Sequence, residues 1–77
     1  MGYRTRLKEE LEALEASLRR RILSGDKRRA AEWFADPRRS YMDPAVYETN
    51  GGYVWDLPRL ESLPKWQLEE LAGFLGV

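Results

Sequence analysis

A chain of 77 residues without cysteine or histidine excludes disulfide staples, Cys/His zinc sites, thiol nucleophiles and imidazole acid–base chemistry. Its length allows one small domain, in the range where a single core is marginal unless disulfides, metal or a partner help. The formal net charge is zero, yet residues 1–39 carry 11 basic and 7 acidic side chains and residues 40–77 carry 2 and 6, so the chain is a charge dipole rather than a polycation.

The first predicted element is a helix from about Arg4 to Leu23. Tyr3, Leu7, Leu11, Leu14, Leu18 and Ile22 fall on one narrow stripe at helical spacing, with Glu9, Glu12, Glu15 and Arg19 away from it. Early glutamates and late arginines suit the helix macrodipole. The 4-3-4 leucine spacing is that of a coiled-coil seam, through which Leu7, Leu11, Leu14 and Leu18 would join a homodimer. The seam lasts only about two heptads and Arg21 interrupts it, so the ladder is expected instead to serve the core of the domain's own helical hairpin. Ser24-Gly25 then supplies a left-handed stop.

Asp26 is an N-cap for a second helix reaching about Ala35, whose Ala30, Ala31, Trp33 and Phe34 can pack back on the ladder. Asp36-Pro37 ends it, because a residue before proline avoids the helical region. Residues 44–55 admit two readings. Val46–Thr49 and Gly52–Trp55 around Asn50-Gly51 have the composition of a β-hairpin on a two-residue turn, with Val46 facing Trp55 and Glu48 facing Tyr53. Alternatively, Asp43-Pro44 opens a short helix that Asn50-Gly51 closes, with an extended segment after it.

Pro58 and Pro64 bracket a tight connection, and a last helix spans about residues 64–75, with Leu68, Leu71, Ala72 and Leu75 as its core stripe. Gly73 weakens it by about 1 kcal/mol relative to alanine, and Gly76 can cap it. Trp66 and Phe74 lie off the stripe, so they cover other elements or face a partner. The expected fold class is α+β, predominantly helical: an N-terminal helical hairpin, a short β-hairpin or turn, and a C-terminal helix, all in one domain over 1–77.

Little in this composition carries catalysis. Asp43, Glu48 and Asp56 lie near the aromatic-rich middle, where paired carboxylates would suit hydrolysis, but Asp43 and Asp56 stand at turn or capping positions. No phosphate loop, dinucleotide fingerprint or calcium loop occurs. The expectation is a non-enzymatic protein with no catalytic residues, no metal and no cofactor. No run of about 18 apolar residues and no signal-peptide core occurs, which predicts a cytoplasmic protein without a membrane segment.

Between residues 19 and 39 stand 8 basic and 3 acidic groups, with Trp33, Phe34 and Tyr41 interleaved, a pattern compatible with nucleic-acid binding. Against it, Arg19, Arg20 and Arg21 point about 100° apart on a helix and cannot line one groove, and the pI of 6.3 is low for a basic binding domain. Protein binding accounts for more. Nine aromatics, three of them tryptophan, exceed what so small a core can enclose. Aromatics beside arginines are what interface hot spots use. The expected partner-binding set is therefore Arg20, Arg28, Arg29, Arg38, Arg39, Tyr41, Tyr53, Trp66 and Phe74. It would serve a small regulator, inhibitor or adaptor meeting a larger protein with an acidic surface, of a size that phages and other mobile elements encode.

The ending Leu63-Pro64-Lys65-Trp66-Gln67-Leu68-Glu69-Glu70-Leu71-Ala72 through Gly76-Val77 resembles the first helix of the helix-extended-loop-helix modules that open transcription terminator Rho. The likeness covers 15 residues and implies a nucleic-acid partner; those modules continue into a second helix. The order helix, glycine turn, hairpin, helix is similar to the phage head–tail joining proteins, and implies a virion assembly role. The segment Asp26 to Asp43, with its own helix, departs from that pattern.

Overall fold

The computed structural model describes residues 3–77, and side chains from Leu7 onward; the place expected for the Tyr3 side chain lies outside the described residues. The order is α1 (Tyr3–Leu23), α2 (Lys27–Phe34), a 3-10 turn (Pro37–Arg39), β1 (Val46–Thr49), β2 (Gly52–Trp55), α3 (Leu57–Ser62) and α4 (Lys65–Leu75). This is the expected α+β, mostly helical fold, with one two-stranded antiparallel sheet.

Local chemistry sets most boundaries. Asp26 caps α2, its carboxylate accepting from the backbone N–H of Arg28 at 2.8 Å and of Arg29 at 3.4 Å, which satisfies donors that a helix start leaves open. Asp36 does the same for the proline-led 3-10 turn, accepting from the Arg38 N–H at 2.9 Å. Gly76 adopts a left-handed φ of 75°, and the Val77 N–H reaches back to the Ala72 carbonyl, closing α4 as a Schellman cap.

The β-hairpin forms, and the helical alternative for residues 44–49 does not. Val46 pairs with Trp55, Tyr47 with Val54, Glu48 with Tyr53 and Thr49 with Gly52. The positive φ in this turn falls on Gly52, at 123°, rather than on Asn50 or Gly51, so the turn is not the type I′ that Asn-Gly favours.

Three local expectations are corrected. Gly25 is not left-handed; positive φ among the described residues occurs at Gly52 and Gly76. It is small because a Cβ there would lie 3.1 Å from Leu75 Cδ1 and 3.2 Å from the Ile22 carbonyl. The connection after Pro58 is a further helix, α3, capped by Asp56, whose carboxylate accepts from the Arg59 N–H at 3.2 Å; Pro58 occupies its first turn, where a missing N–H costs nothing.

The third correction concerns the ladder. Leu18 and Ile22 are buried, but Leu7, Leu11 and Leu14 are 41%, 47% and 51% exposed. The reason is length. At 1.5 Å per residue α1, with 21 residues, is about 31 Å long, whereas α2 with 8 and α4 with 11 reach only about 12 and 16 Å. The partner that α1 packs on most is α4. Leu14, Leu18 and Arg21 share a groove with Lys65 and Glu69, and Gly25 meets Leu75, so α1 and α4 run in the same direction. The first turns of α1 therefore project past the start of α4, in a molecule 49 Å long and 24 by 22 Å across.

The core lies where α2, the sheet, α3 and α4 meet the last turns of α1. Ile22, Leu60, Leu68 and Leu71 are fully enclosed, with Leu18, Ala30, Trp33, Phe34, Ala45, Val46, Leu63 and Ala72 around them. Trp33 and Phe34 meet edge to face at 4.9 Å, a geometry that matches the ring quadrupoles. Apolar area removed from water supplies the drive, and α4 carries its expected Leu68, Leu71, Ala72 and Leu75 stripe into that core.

Candidate protein-binding surface

The arginines separate into those engaged within the fold and those directed outward. Arg39 lies with its guanidinium 4.1 Å from the Trp33 ring centroid. It donates to the Trp33 carbonyl at 3.2 Å and to Asp36 at 3.1 Å. A cation on an aromatic face, itself hydrogen-bonded, is packing as much as charge. Arg29 sits 5.0 Å from the Phe74 ring centroid and donates to the Phe74 carbonyl at 3.2 Å. It neutralises a carbonyl at the C-terminal end of α4, where the helix dipole is negative, and ties α2 to α4.

Arg38 also pairs with Asp36, at 3.0 Å, but its side chain is 86% exposed. The hydrogen bond from the Arg38 side chain, then that from its backbone N–H, holds the Asp36 carboxyl down at about 2. The Arg38 guanidinium is correspondingly pushed above its ordinary value. Arg20 and Arg28 are exposed. Arg20 stands on the last turns of α1 and Arg28 in the first turn of α2.

Tyr41 is 68% exposed and Trp66 55% exposed. One hydrogen bond relates them: the buried Gln67 amide donates to the Tyr41 hydroxyl. That bond fastens Tyr41, just after the 3-10 turn that contains Arg38, to the first turn of α4, which carries Trp66. Gln67 Oε1 and Trp55 Nε1 are buried without a protein partner. Phe74 is 40% exposed beside Arg29. Tyr53 is half-buried against the core, so it supports the hairpin more than it faces outward.

The expected set is thus not brought into one patch. Gln67 ties Tyr41 to the first turn of α4, where Trp66 stands, Arg38 lies three residues before Tyr41 on Asp36, Arg29 and Phe74 form a second locus, and Arg20 and Arg28 stand on α1 and α2. Among residues with carboxylates, Asp56 caps α3 and pairs with Arg59 at 3.4 Å, while Asp43 and Glu48 are exposed. No group of three or more metal-ligating side chains occurs among the described residues. No helix of the described residues is long and apolar enough to cross a membrane.

Two features escape a reading by composition. Tyr47 and Val54 are exposed and face each other across the hairpin; the register of Val46 with Trp55 already implied that pair, because side chains alternate along a strand. The other is an open groove of about 260 Å³ lined by Leu14, Ser17, Leu18, Arg21, Lys65 and Glu69, which depends on the parallel run of α1 and α4 and has no local signal. Comparison with protein-family models, with curated proteins and with solved structures finds no match to this chain.

Proposed function

We propose that this chain is a non-enzymatic protein-binding adaptor or regulator of the cytoplasm, meeting a larger protein with an acidic surface through Arg38, Tyr41 and Trp66. The observation that carries the reading is the Tyr41–Gln67 hydrogen bond. It holds an exposed tyrosine, three residues after the exposed Arg38, against the helical turn that presents an exposed tryptophan. These are the residue types that anchor protein interfaces, and a large apolar side chain left in water is informative when it is grouped with others. Arg38, whose Nε and Nη2 are on Asp36, offers its remaining N–H donors to a carboxylate and steers the approach, and the aromatics supply the desolvated centre. Arg20 and Arg28, exposed on α1 and α2, contribute to long-range steering rather than to this contact.

Affinity capture with the wild-type chain and with Trp66→Ala tests the reading. Trp66 is exposed, so its loss leaves the fold intact, and the captured protein should be lost by a factor of about 30 or more. Arg20→Glu should weaken capture only about threefold, as expected of a rim charge. The reading fails if the captured species is nucleic acid, with affinity falling log-linearly in salt and losing about one unit of slope per arginine removed. It fails equally if Trp66→Ala binds as the wild type does.

A further inference from the structure

We propose that the exposed leucine face of α1 is the seam of an antiparallel homodimer. In it a second copy lies along Leu7, Leu11 and Leu14 and brings its own Leu7 to the groove between α1 and α4. This surface is separate from the one carrying Arg38, Tyr41 and Trp66, and the two stand or fall independently.

Four observations select a second copy, and that direction, as the occupant. First, the face is apolar and unpartnered: Leu7, Leu11 and Leu14 are each roughly half exposed on the part of α1 that projects past α4. Second, the 4-3-4 spacing of Leu7, Leu11, Leu14 and Leu18 reads the same in both chain directions. A reversed copy therefore sets Leu11 against the second copy's Leu14 and brings Leu7 to the level of the second copy's Leu18, which is itself buried, on both sides of a two-fold axis. That is the self-complementarity a closed, symmetric dimer requires.

Third, charge agrees with this register. Lys8 follows Leu7 and Glu15 follows Leu14, so both flank the seam on the same side of the stripe. Antiparallel pairing sets Lys8 of each copy opposite Glu15 of the other, giving two attractions. Among the described residues Glu15 pairs with Arg19 alone, at 3.8 Å, and its side chain is 34% exposed, so it can reach a lysine. A parallel copy would instead set Glu10 against Glu15 twice.

Fourth, the face does not end at Leu14. It opens into the groove of about 260 Å³ lined by Leu14, Ser17, Leu18, Arg21, Lys65 and Glu69, an opening large enough for a leucine side chain. In the antiparallel register the second copy's Leu7 arrives at the level of Leu18, beside that groove, with the Lys65–Glu69 ion pair (3.6 Å) along its wall.

Sedimentation equilibrium on the full chain, from about 1 μM to about 0.5 mM, tests the seam. The wild type should pass from monomer to dimer across that range. Leu11→Glu should remain monomeric throughout while keeping the helical circular dichroism and melting temperature of the dilute wild-type chain, because Leu11 is not part of the chain's own core. Lys8→Glu and Glu15→Lys should each weaken dimerisation about five- to tenfold, and the double exchange should restore it to within about threefold. A wild type that is monomeric at the top of the range would overturn the proposal. So would a Leu11→Glu chain that unfolds or still dimerises, or a double exchange no better than either single one.

Discussion

Ile22→Ala and Leu11→Ala remove side chains from one continuous stripe, and the structure assigns them very different costs. Ile22 is fully enclosed. Removing it forfeits the transfer free energy of three carbons and leaves a cavity that the surrounding Leu68 and Leu71 cannot collapse into freely. An enclosed Ile→Ala exchange costs about 3–4 kcal/mol on that basis. For a chain of 77 residues the whole stability is about 4–12 kcal/mol, so this one change removes about a quarter of it or more. Leu11 is 47% exposed, and much of its cover comes from its own helix. The loss is no more than about 1 kcal/mol, offset by a few tenths because alanine is the better helix former. Urea unfolding followed by circular dichroism at about 1 μM, where the chain is monomeric, separates the two. Ile22→Ala should lower the midpoint steeply at constant slope, and Leu11→Ala should leave it nearly unmoved. Equal losses for the two variants would mean that the projecting half of α1 is packed into the core, and the partition of the ladder argued here would be wrong.

Two glycines make a matched pair. Gly25→Ala places a Cβ 3.1 Å from Leu75 Cδ1 and 3.2 Å from the Ile22 carbonyl, and thermal melts should show a loss of about 1–2 kcal/mol; Gly73→Ala meets nothing within 4 Å and should gain about 0.5–1 kcal/mol from helix propensity. The Asp36 carboxyl titrates at about 2 instead of 3.8, chiefly because of the Arg38 side chain. An unfolded chain therefore takes up this proton at higher pH than the folded one, so the contribution is complete above about pH 4 and is lost as pH falls through about 2. Urea midpoints across that window should fall less in Asp36→Asn than in the wild type. Arg39→Ala removes a guanidinium that is 21% exposed and stacked on Trp33, and should cost about 1–2 kcal/mol in urea unfolding. Arg38→Ala should leave the urea midpoint at neutral pH nearly unmoved, while a carbon-detected titration shows the Asp36 carboxyl rising toward its ordinary value.

Much of the local structure was legible because its determinants are local. Asp26 and Gly76 mark their helix ends by side-chain and backbone chemistry contained within three or four residues, and the hairpin register follows from alternation around Asn50-Gly51. Asp56 and Pro58 carried the same kind of signal for α3, an N-cap followed by a first-turn proline, but a tight connection between two prolines used the same residues equally well. Gly25 illustrates the opposite limit. Its smallness was visible and its reason only in part: the Ile22 carbonyl that crowds a Cβ is local, but the nearest atom belongs to Leu75, fifty residues away. The candidate surface divides in the same manner. Trp66 and Phe74 were identifiable as off the stripe of α4 from helical periodicity alone. That Arg29 and Arg39 would be engaged on Phe74 and Trp33, leaving Arg38 outward, depends on contacts between elements.

By itself the sequence determined the first, second and last helices and their ends, which of their faces are apolar, and that the basic pole precedes the acidic one; α3 and the choice of hairpin over helical turn at residues 44–55 came from the structure. Only the tertiary structure decided how far the leucine ladder is used. Periodicity describes a helix as if it had one environment along its length, whereas burial depends on the lengths and places of the elements that cover it. The covering helices here are about half as long as α1 or shorter. Leu18 and Ile22 therefore became core, and Leu7, Leu11 and Leu14, which the spacing cannot distinguish from them, were left facing water.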